Sequence, residues 1–225
     1  MLGILMLDSR FVRWPGDIGH PATWPFDVRF RVVRGATPDK VVLDAARGLV
    51  PAFVEAACEL AHEGAEAITT SCGFMALHQR ELAAAVPVPM LTSALMQVPW
   101  LDATLPRGRR VGVLTASAGS LGPGHLEAVG AAADTPIVGV DRGSEFYRVV
   151  VLGERESFDP AAAQREVVRA GRELVERHPE VGAIVLECTN MPPFAAAVHR
   201  EVGRPVHDIV SLMHWVHCGL RPRGF

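Results

Sequence analysis

Short apolar runs and longer stretches with apolar residues at helical spacing alternate along most of this chain. The runs "LGILML", "DVRFRVV", "EAITTS", "VPMLT", "RRVGVLTA", "PIVGVD", "GAIVLE" and "PVHDI" are four to eight residues long and read as strands. Between them, "PDKVVLDAARGLVPAFVEAACELAHEGA" carries apolar positions at helical intervals, with Pro51 marking a kink or a junction of two helices. Helices are also predicted over "GFMALHQRELAAA", "SALMQVPWLDATL", "GPGHLEAVGAAA", residues 144–152, residues 160–178, "PPFAAAVHREVG" and "IVSLMHWVHCGL". Such alternation predicts an α/β fold of parallel sheets covered by helices on both faces.

The pattern also repeats. "GAEAITTSCGFMALHQRELAAAVPVPMLTSALMQ" matches "VGAIVLECTNMPPFAAAVHREVGRPVHDIVSLMH" element for element, as strand, cysteine, helix, short strand and helix. This internal echo predicts two related, pseudo-symmetric lobes. The expected division is residues 1–95 with 209–225 as lobe one and 96–208 as lobe two. The stretch "DSRFVRWPGDIGHPATWPF" fits neither element type; its Pro, Gly and aromatic residues predict a long irregular loop, and loops of that length usually serve function.

Composition narrows the function classes. Hydrophobic residues make up 49% of the 225 and the formal net charge is −3, so the chain is globular, with no basic excess to draw nucleic acid or an anionic membrane. No apolar run approaches the ~18 residues of a membrane span, and "MLGILML" is too short and lacks the basic flank of a signal peptide. A cytoplasmic protein is expected, in which the four cysteines are free thiols. Cys58 sits mid-helix among alanines and reads as a small buried hydrophobe, while Cys218, in "HWVHCG", lies at a helix end beside histidines that no carboxylate joins into a metal site.

Cys72 and Cys188 stand apart. Each falls where a strand ends and a helix begins, at equivalent points of the repeat. The carboxyl ends of parallel strands form the ligand crevice, and a helix N-terminus favours both a thiolate and a bound carboxylate. Facing lobes would bring the thiols to one cleft from opposite sides, where one removes a proton beside a carbonyl and the other returns one to the opposite face. Pyridoxal chemistry would need a Schiff-base lysine, and the only lysine, Lys40, has no motif around it; no metal-ligand spacing occurs either. No cofactor and no metal are therefore expected.

With "TTSCGF", "ECTNMPP", "GVLTASAGSL" and "GILMLDSR", the sequence resembles the aspartate/glutamate racemase superfamily, which includes hydantoin racemases, maleate isomerases and arylmalonate decarboxylases. The resemblance covers essentially the whole chain. It implies a cofactor-independent isomerase with Cys72 and Cys188 as acid and base, Thr189 on the substrate carboxylate, Thr115 and Ser117 contributing, Asp8 and Ser9 facing the cleft, and a homodimer. Those racemases usually read Cys-Asn-Thr at the first site, where this chain has Cys72, Gly73 and Phe74, and often Cys-Thr-His at the second, where it has Asn190. Phe74, Trp14 and Trp24 are candidates to line a less polar pocket, and Arg10 and Arg13 to clamp a second carboxylate. The expected function is a racemase or epimerase inverting Cα of a small amino acid or related carboxylate, held near Ser71, Gly73, Phe74, Thr115, Ser117, Thr189 and Asn190. A maleate-type cis–trans isomerase, a hydantoin racemase or a decarboxylase of the same fold is the alternative, with a non-catalytic binding protein as the third class.

Overall fold

A computed structural model describes every residue except 158, 223 and 225; Arg223 and Phe225, at the end of the stretch assigned to lobe one, thus lie outside the described residues. Two four-stranded, wholly parallel sheets carry the chain. The first holds β1 (Leu2–Leu7), β2 (Val28–Val33), β3 (Ala67–Thr70) and β4 (Met90–Leu91) in the order β2-β1-β3-β4. The second holds β5 (Arg110–Thr115), β6 (Ile137–Gly139), β7 (Val181–Leu186) and β8 (Val206–His207) in the order β6-β5-β7-β8. The two orders are the same order, so the sequence echo is a fold echo.

The eight predicted strands all form. Central strands β1 and β3 are buried throughout, because helices cover both faces of a parallel sheet. Residues Val50, Phe53, Ala56, Ala57 and Leu60 of α2 (Val50–His62) and Ala163, Val167, Ala170, Gly171 and Leu174 of α7 (Pro160–Arg177) recur at helical spacing and seal one face of each sheet. A glycine makes room at corresponding places: Gly3 lies under Leu60, and Gly112 under Leu174. A Cβ at either place would come within about 3 Å of these leucine side chains and force them to shift.

Helix details differ from the pattern in three places. The long helical stretch after residue 37 breaks into α1 (Pro38–Leu43) and α2, with Ala45 and Ala46 at positive φ between them and Pro51 in the first turn of α2. The helices after Cys72, after Ser93 and after Met191 begin as 3-10 turns (Gly73–His78, Ala94–Gln97, Pro192–Phe194) before becoming α3 (Gln79–Ala85), α4 (Val98–Thr104) and α8 (Ala195–Val202). α5 (Pro123–Glu127) is cut short before Gly130, which has a positive φ. The remaining helices are α6 (Glu145–Val150) and α9 (Ile209–Leu220).

α9, started by a capping box between Asp208 and Ser211, returns to the first sheet's side. His214 stacks on Trp24, His217 stacks on Phe26, and Arg221 pairs with Glu66. Among the described residues no helix is long and apolar enough to cross a membrane.

Candidate functional site

In each sheet the chain turns one way from its first strand and the other way to its third, so the crevice opens between β1 and β3 in one lobe and between β5 and β7 in the other. Both cysteines sit at that point. Ser71 donates its amide to Leu5 and Glu187 donates its own to Leu114, each at 2.8 Å, extending the ladders by one residue before the chain turns away. Cys72 and Cys188 then follow in matching turns, their carbonyls accepting from the amides of Met75 (3.1 Å) and Met191 (3.0 Å). The amide of Phe74 points at the Cys72 sulfur and that of Asn190 at the Cys188 sulfur, so each turn offers its thiol one N–H donor.

The two turns face one another across a cavity of about 20 Å³, room for about one water molecule. Its lining is mainly apolar, with Phe11, Phe74, Val42 and Val151 prominent. Polar contacts run from one lobe to the other. Thr189 Oγ1 donates to the Ser71 carbonyl at 2.7 Å, and Ser71 Oγ accepts from the Leu7 amide at 2.8 Å. The first loop threads between the lobes: Asn190 Nδ2 donates to Asp17 at 2.7 Å, Asp17 pairs with Arg13 at 2.8 Å, and Arg13 also donates to Ser9 Oγ at 2.9 Å. The Arg13 guanidinium lies 4.5 Å over the Phe11 ring. The amide of Val12 reaches the Glu156 carbonyl at 2.7 Å and closes the mouth.

Electrostatically the cavity disfavours negative charge. Burial pushes both thiols above their ordinary range and the charge of Glu187 pushes the same way; the Phe74 amide and Arg13 oppose it at Cys72, and the Asn190 amide at Cys188. Ionising Cys72 further raises Cys188, so the two sulfurs share one field. Glu187 itself is fully buried, and burial lifts its carboxyl to about 7 despite the hydrogen bond from Thr115 Oγ1 at 2.5 Å. Its other oxygen, Oε1, has no hydrogen-bond partner among the described residues. Gly73 packs against this carboxyl group so closely that a Cβ there would overlap both Oε1 and the Glu187 carbonyl oxygen.

Of the residues singled out in the sequence, Ser9, Ser71, Cys72, Gly73, Phe74, Cys188, Thr189 and Asn190 line the cavity, as does Arg13. Thr115 stands behind it and holds Glu187. Asp8 and Arg10 face a neighbouring groove toward residues 149–156, where Asp8 accepts from the Gly35 amide at 3.0 Å. Ser117 borders a different groove, its hydroxyl 3.0 Å from that of Ser120. Trp24 is buried with its indole N–H on the Ile18 carbonyl, and Trp14 is exposed; neither lines the cavity. Cys58 and Cys218 are exposed, and among the described residues no group of three or more His, Cys, Asp or Glu side chains is placed to hold a metal. Sequence reasoning passed over Glu187, Phe11 and Asp17. The one available signal was a glutamate closing an otherwise apolar strand, "GAIVLE", directly before a cysteine.

Comparison with known proteins agrees with this fold. A sequence model of the Asp/Glu/Hydantoin racemase family matches residues 96–215. A dimethylsulfoniopropionate lyase from Durusdinium sp. clade D is 28% identical over 93% of this chain and 71% of its own length. Dimethylsulfoniopropionate lyase 5 from Emiliania huxleyi is 28% identical over 96% of this chain, which spans 44% of that longer protein. Among solved structures, a mutant arylmalonate decarboxylase in a sulfate-associated form superposes with a TM-score of 0.61 at 17% identity, covering 99% of this chain and 95% of that one. A glutamate racemase isoform from Bacillus anthracis gives 0.60 at 12% identity, covering 98% of this chain and 82% of that one. At these identities the structures share the fold. The family match takes in more than half of the chain, and the chain belongs to the Asp/Glu/Hydantoin racemase family.

Proposed function

We propose, from membership of that family, that this chain is a cofactor-independent enzyme that removes the proton next to the carboxylate of a small substrate, using Cys72 and Cys188 as its proton-transfer groups. The observation that carries the reading is the meeting of two buried thiols, each with one backbone N–H aimed at its sulfur, across a single cavity between the lobes. Once the cleft opens, the turn amides, the hydroxyls of Ser71 and Thr189, and Arg13, released from the contacts they make here, would supply the donors for a carboxylate.

The reaction this geometry suits best is β-elimination from dimethylsulfoniopropionate or a close analogue. One thiolate takes the Cα proton, the Cα–Cβ double bond forms, and the Cβ–S bond breaks with its electron pair leaving on sulfur; the products are acrylate and dimethyl sulfide. Sequence likeness to the two lyases supports this substrate, and so does the lining. A dimethylsulfonium group carries its charge behind methyl groups and sits well against Phe11 and Phe74, whereas an ammonium brings three N–H donors that need acceptors. The carboxylates nearby do not supply them freely: Asp17, outside the lining, is committed to Arg13 and Asn190, and burial favours the neutral form of Glu187.

A second reading is inversion at Cα of an amino acid or related carboxylate, favoured by the retention of both thiols, since elimination requires only one. In either reading the cleft opens to admit substrate, because its present volume holds about one water molecule. The lobe division at residues 95/96 and 208/209 and a homodimer belong to the proposal as well; light scattering checks the dimer.

The deciding experiment is proton NMR in D₂O with dimethylsulfoniopropionate, amino acids, hydantoins and maleate, on the parent protein and on Cys72→Ser and Cys188→Ser. Acrylate formation that falls about 10²–10⁴-fold in one serine variant and less in the other establishes the lyase. Cα–H washout from an amino acid, lost in both variants, establishes the racemase. Full turnover in both variants sinks the two-thiol chemistry altogether.

A further inference from the structure

The residue before each thiol is where the two halves of the site part company. Ser71 is satisfied by the Leu7 amide, whereas Glu187 presents a carboxyl group with no exposed surface. Its Oε2 accepts from Thr115, its Oε1 is unpaired, and Gly73 leaves it no room to swing away. Among the described residues no cation acts on this carboxyl group, and only the hydrogen bond from Thr115 opposes its burial. Arg13, which reaches toward Cys72 from the first loop, is committed to Asp17 and Ser9. Asp17, in the same loop, bears on Cys188 and raises it; among the described residues the other elements packed here bring Thr115 at the end of β5, the two thiols and uncharged backbone. His125 lies beyond the Phe74 ring, and His78 points away to the Ala45 carbonyl.

We propose that Glu187 is a positioning residue that sets the charge of the site: protonated, it lets one thiol ionise and a carboxylate approach, and ionised, it holds both thiols in their SH form. The cause is Coulombic. A carboxylate and a thiolate in one buried cavity, with Arg13 countering at Cys72 alone, cannot both be charged without a large penalty, so the site carries its negative charge in one place at a time. The hydroxyl of Thr115 stabilises the ionised form and keeps the switching point from drifting higher. The part of this inference concerning a substrate carboxylate rests on the function proposed above; the part concerning the thiols does not.

The test therefore reads the thiols and not the turnover. Iodoacetamide alkylation rates of Cys72 and Cys188, resolved by peptide mass spectrometry, are followed from pH 5.5 to 9. In the parent protein the logarithm of each rate climbs with pH and bends to a shallower slope near 7, as Glu187 ionises and makes each thiolate harder to form. Glu187→Gln keeps the shape and can still accept the Thr115 hydroxyl, so its rates match the parent at pH 5.5 and climb without a bend. By pH 8.5 both cysteines react at least about tenfold faster than in the parent. Thr115→Val removes the bond that favours the ionised form and moves the bend to higher pH, which secures the test should the glutamine variant fold poorly. Superimposable profiles in the parent and Glu187→Gln, or in the parent and Thr115→Val, overturn the proposal. A protein that turns over none of the candidate substrates would still show the bend, so failure of the reaction and failure of this inference are separate results.

Discussion

The two cysteine turns share a backbone and divide the work. "SCGF" and "ECTN" leave equivalent strands, accept the same turn hydrogen bond and aim the same kind of amide at sulfur. Around that frame the side chains are opposite in kind. The first turn is stripped down, with a glycine and a phenylalanine after its thiol, while the second carries Glu187, Thr189 and Asn190, which reach Thr115, Ser71 and Asp17. Lobe two thus wires the cavity together, and lobe one shapes itself to fit. Duplication gives the geometry, and divergence of the flanking residues gives each thiol a different electrical setting.

The largest effect expected from breaking this asymmetry is on stability, through Glu187. Its carboxyl group titrates at about 7 when folded, against an ordinary 4.5, so the folded state holds its proton more tightly than the unfolded one. The contribution of Glu187 to stability is therefore fully present below pH 4.5, erodes between 4.5 and 7, and stays lost above. The difference corresponds to about 3 kcal/mol, at roughly 1.4 kcal/mol per pKa unit. Glu187→Gln is expected to match the parent in urea denaturation at pH 4 and to exceed it by up to about 3 kcal/mol at pH 8. An equal advantage at both values would mean that the carboxyl group titrates normally.

Gly73→Ala comes next. The methyl group would overlap the carboxylate and backbone oxygen of Glu187, and backbone cannot move aside cheaply, so a loss of roughly 1–3 kcal/mol is expected. This also accounts for the departure of "CGF" from the family's Cys-Asn-Thr: a longer residue at 73 has no space while Glu187 fills it. A fully stable Gly73→Ala protein would show that the lobes sit farther apart than described.

What could be read from the sequence follows the range over which each feature is encoded. The succession of strands and helices, the repeat and the placement of Cys72 and Cys188 rest on periodicity and local turn position, both visible in one dimension, whereas the order of strands within each sheet came only with the structure. Glu187 was illegible because a glutamate ending a strand ordinarily points to water. Only the closure of lobe one over it, through Gly73, makes it buried. Asp8 and Arg10 face the neighbouring groove because the first loop, fixed by Asp17 to Asn190 and by Val12 to Glu156, sends Ser9, Phe11 and Arg13 inward instead. Those contacts join residues more than 140 positions apart, and no local pattern announces them. The 3-10 starts of the helices after Cys72 and Met191 escaped the same way, since a 3-10 turn and an α-turn share apolar spacing over so short a stretch.

A smaller effect belongs to the bridge itself. Thr189→Val keeps the volume and removes the hydroxyl that donates to the Ser71 carbonyl, for an expected loss of about 1 kcal/mol, or more if that carbonyl finds no other donor. Amide hydrogen exchange should rise on both sides of the cavity, at residues 71–75 and 188–191, if the bond ties lobe to lobe. A rise confined to the second turn would make Thr189 a local cap.

The smallest effect is expected at Ser117. The family resemblance assigns it to the substrate alongside Thr115, which ends the central strand β5 two residues earlier, yet the structure separates them. Thr115 turns inward to Glu187, whereas Ser117, two residues later, meets Ser120 and borders a groove formed with Gly139 and Arg142. Ser117→Ala should leave alkylation of both thiols and any turnover within about twofold of the parent, at a stability cost of about 1 kcal/mol for one lost neutral hydrogen bond. Thr115→Val, by contrast, should shift the pH dependence of both thiols. If Ser117→Ala instead lowered kcat/KM more than tenfold while Thr115→Val changed little, the β5 turn would have to rotate when the cleft opens, and the two residues would exchange the roles given to them here.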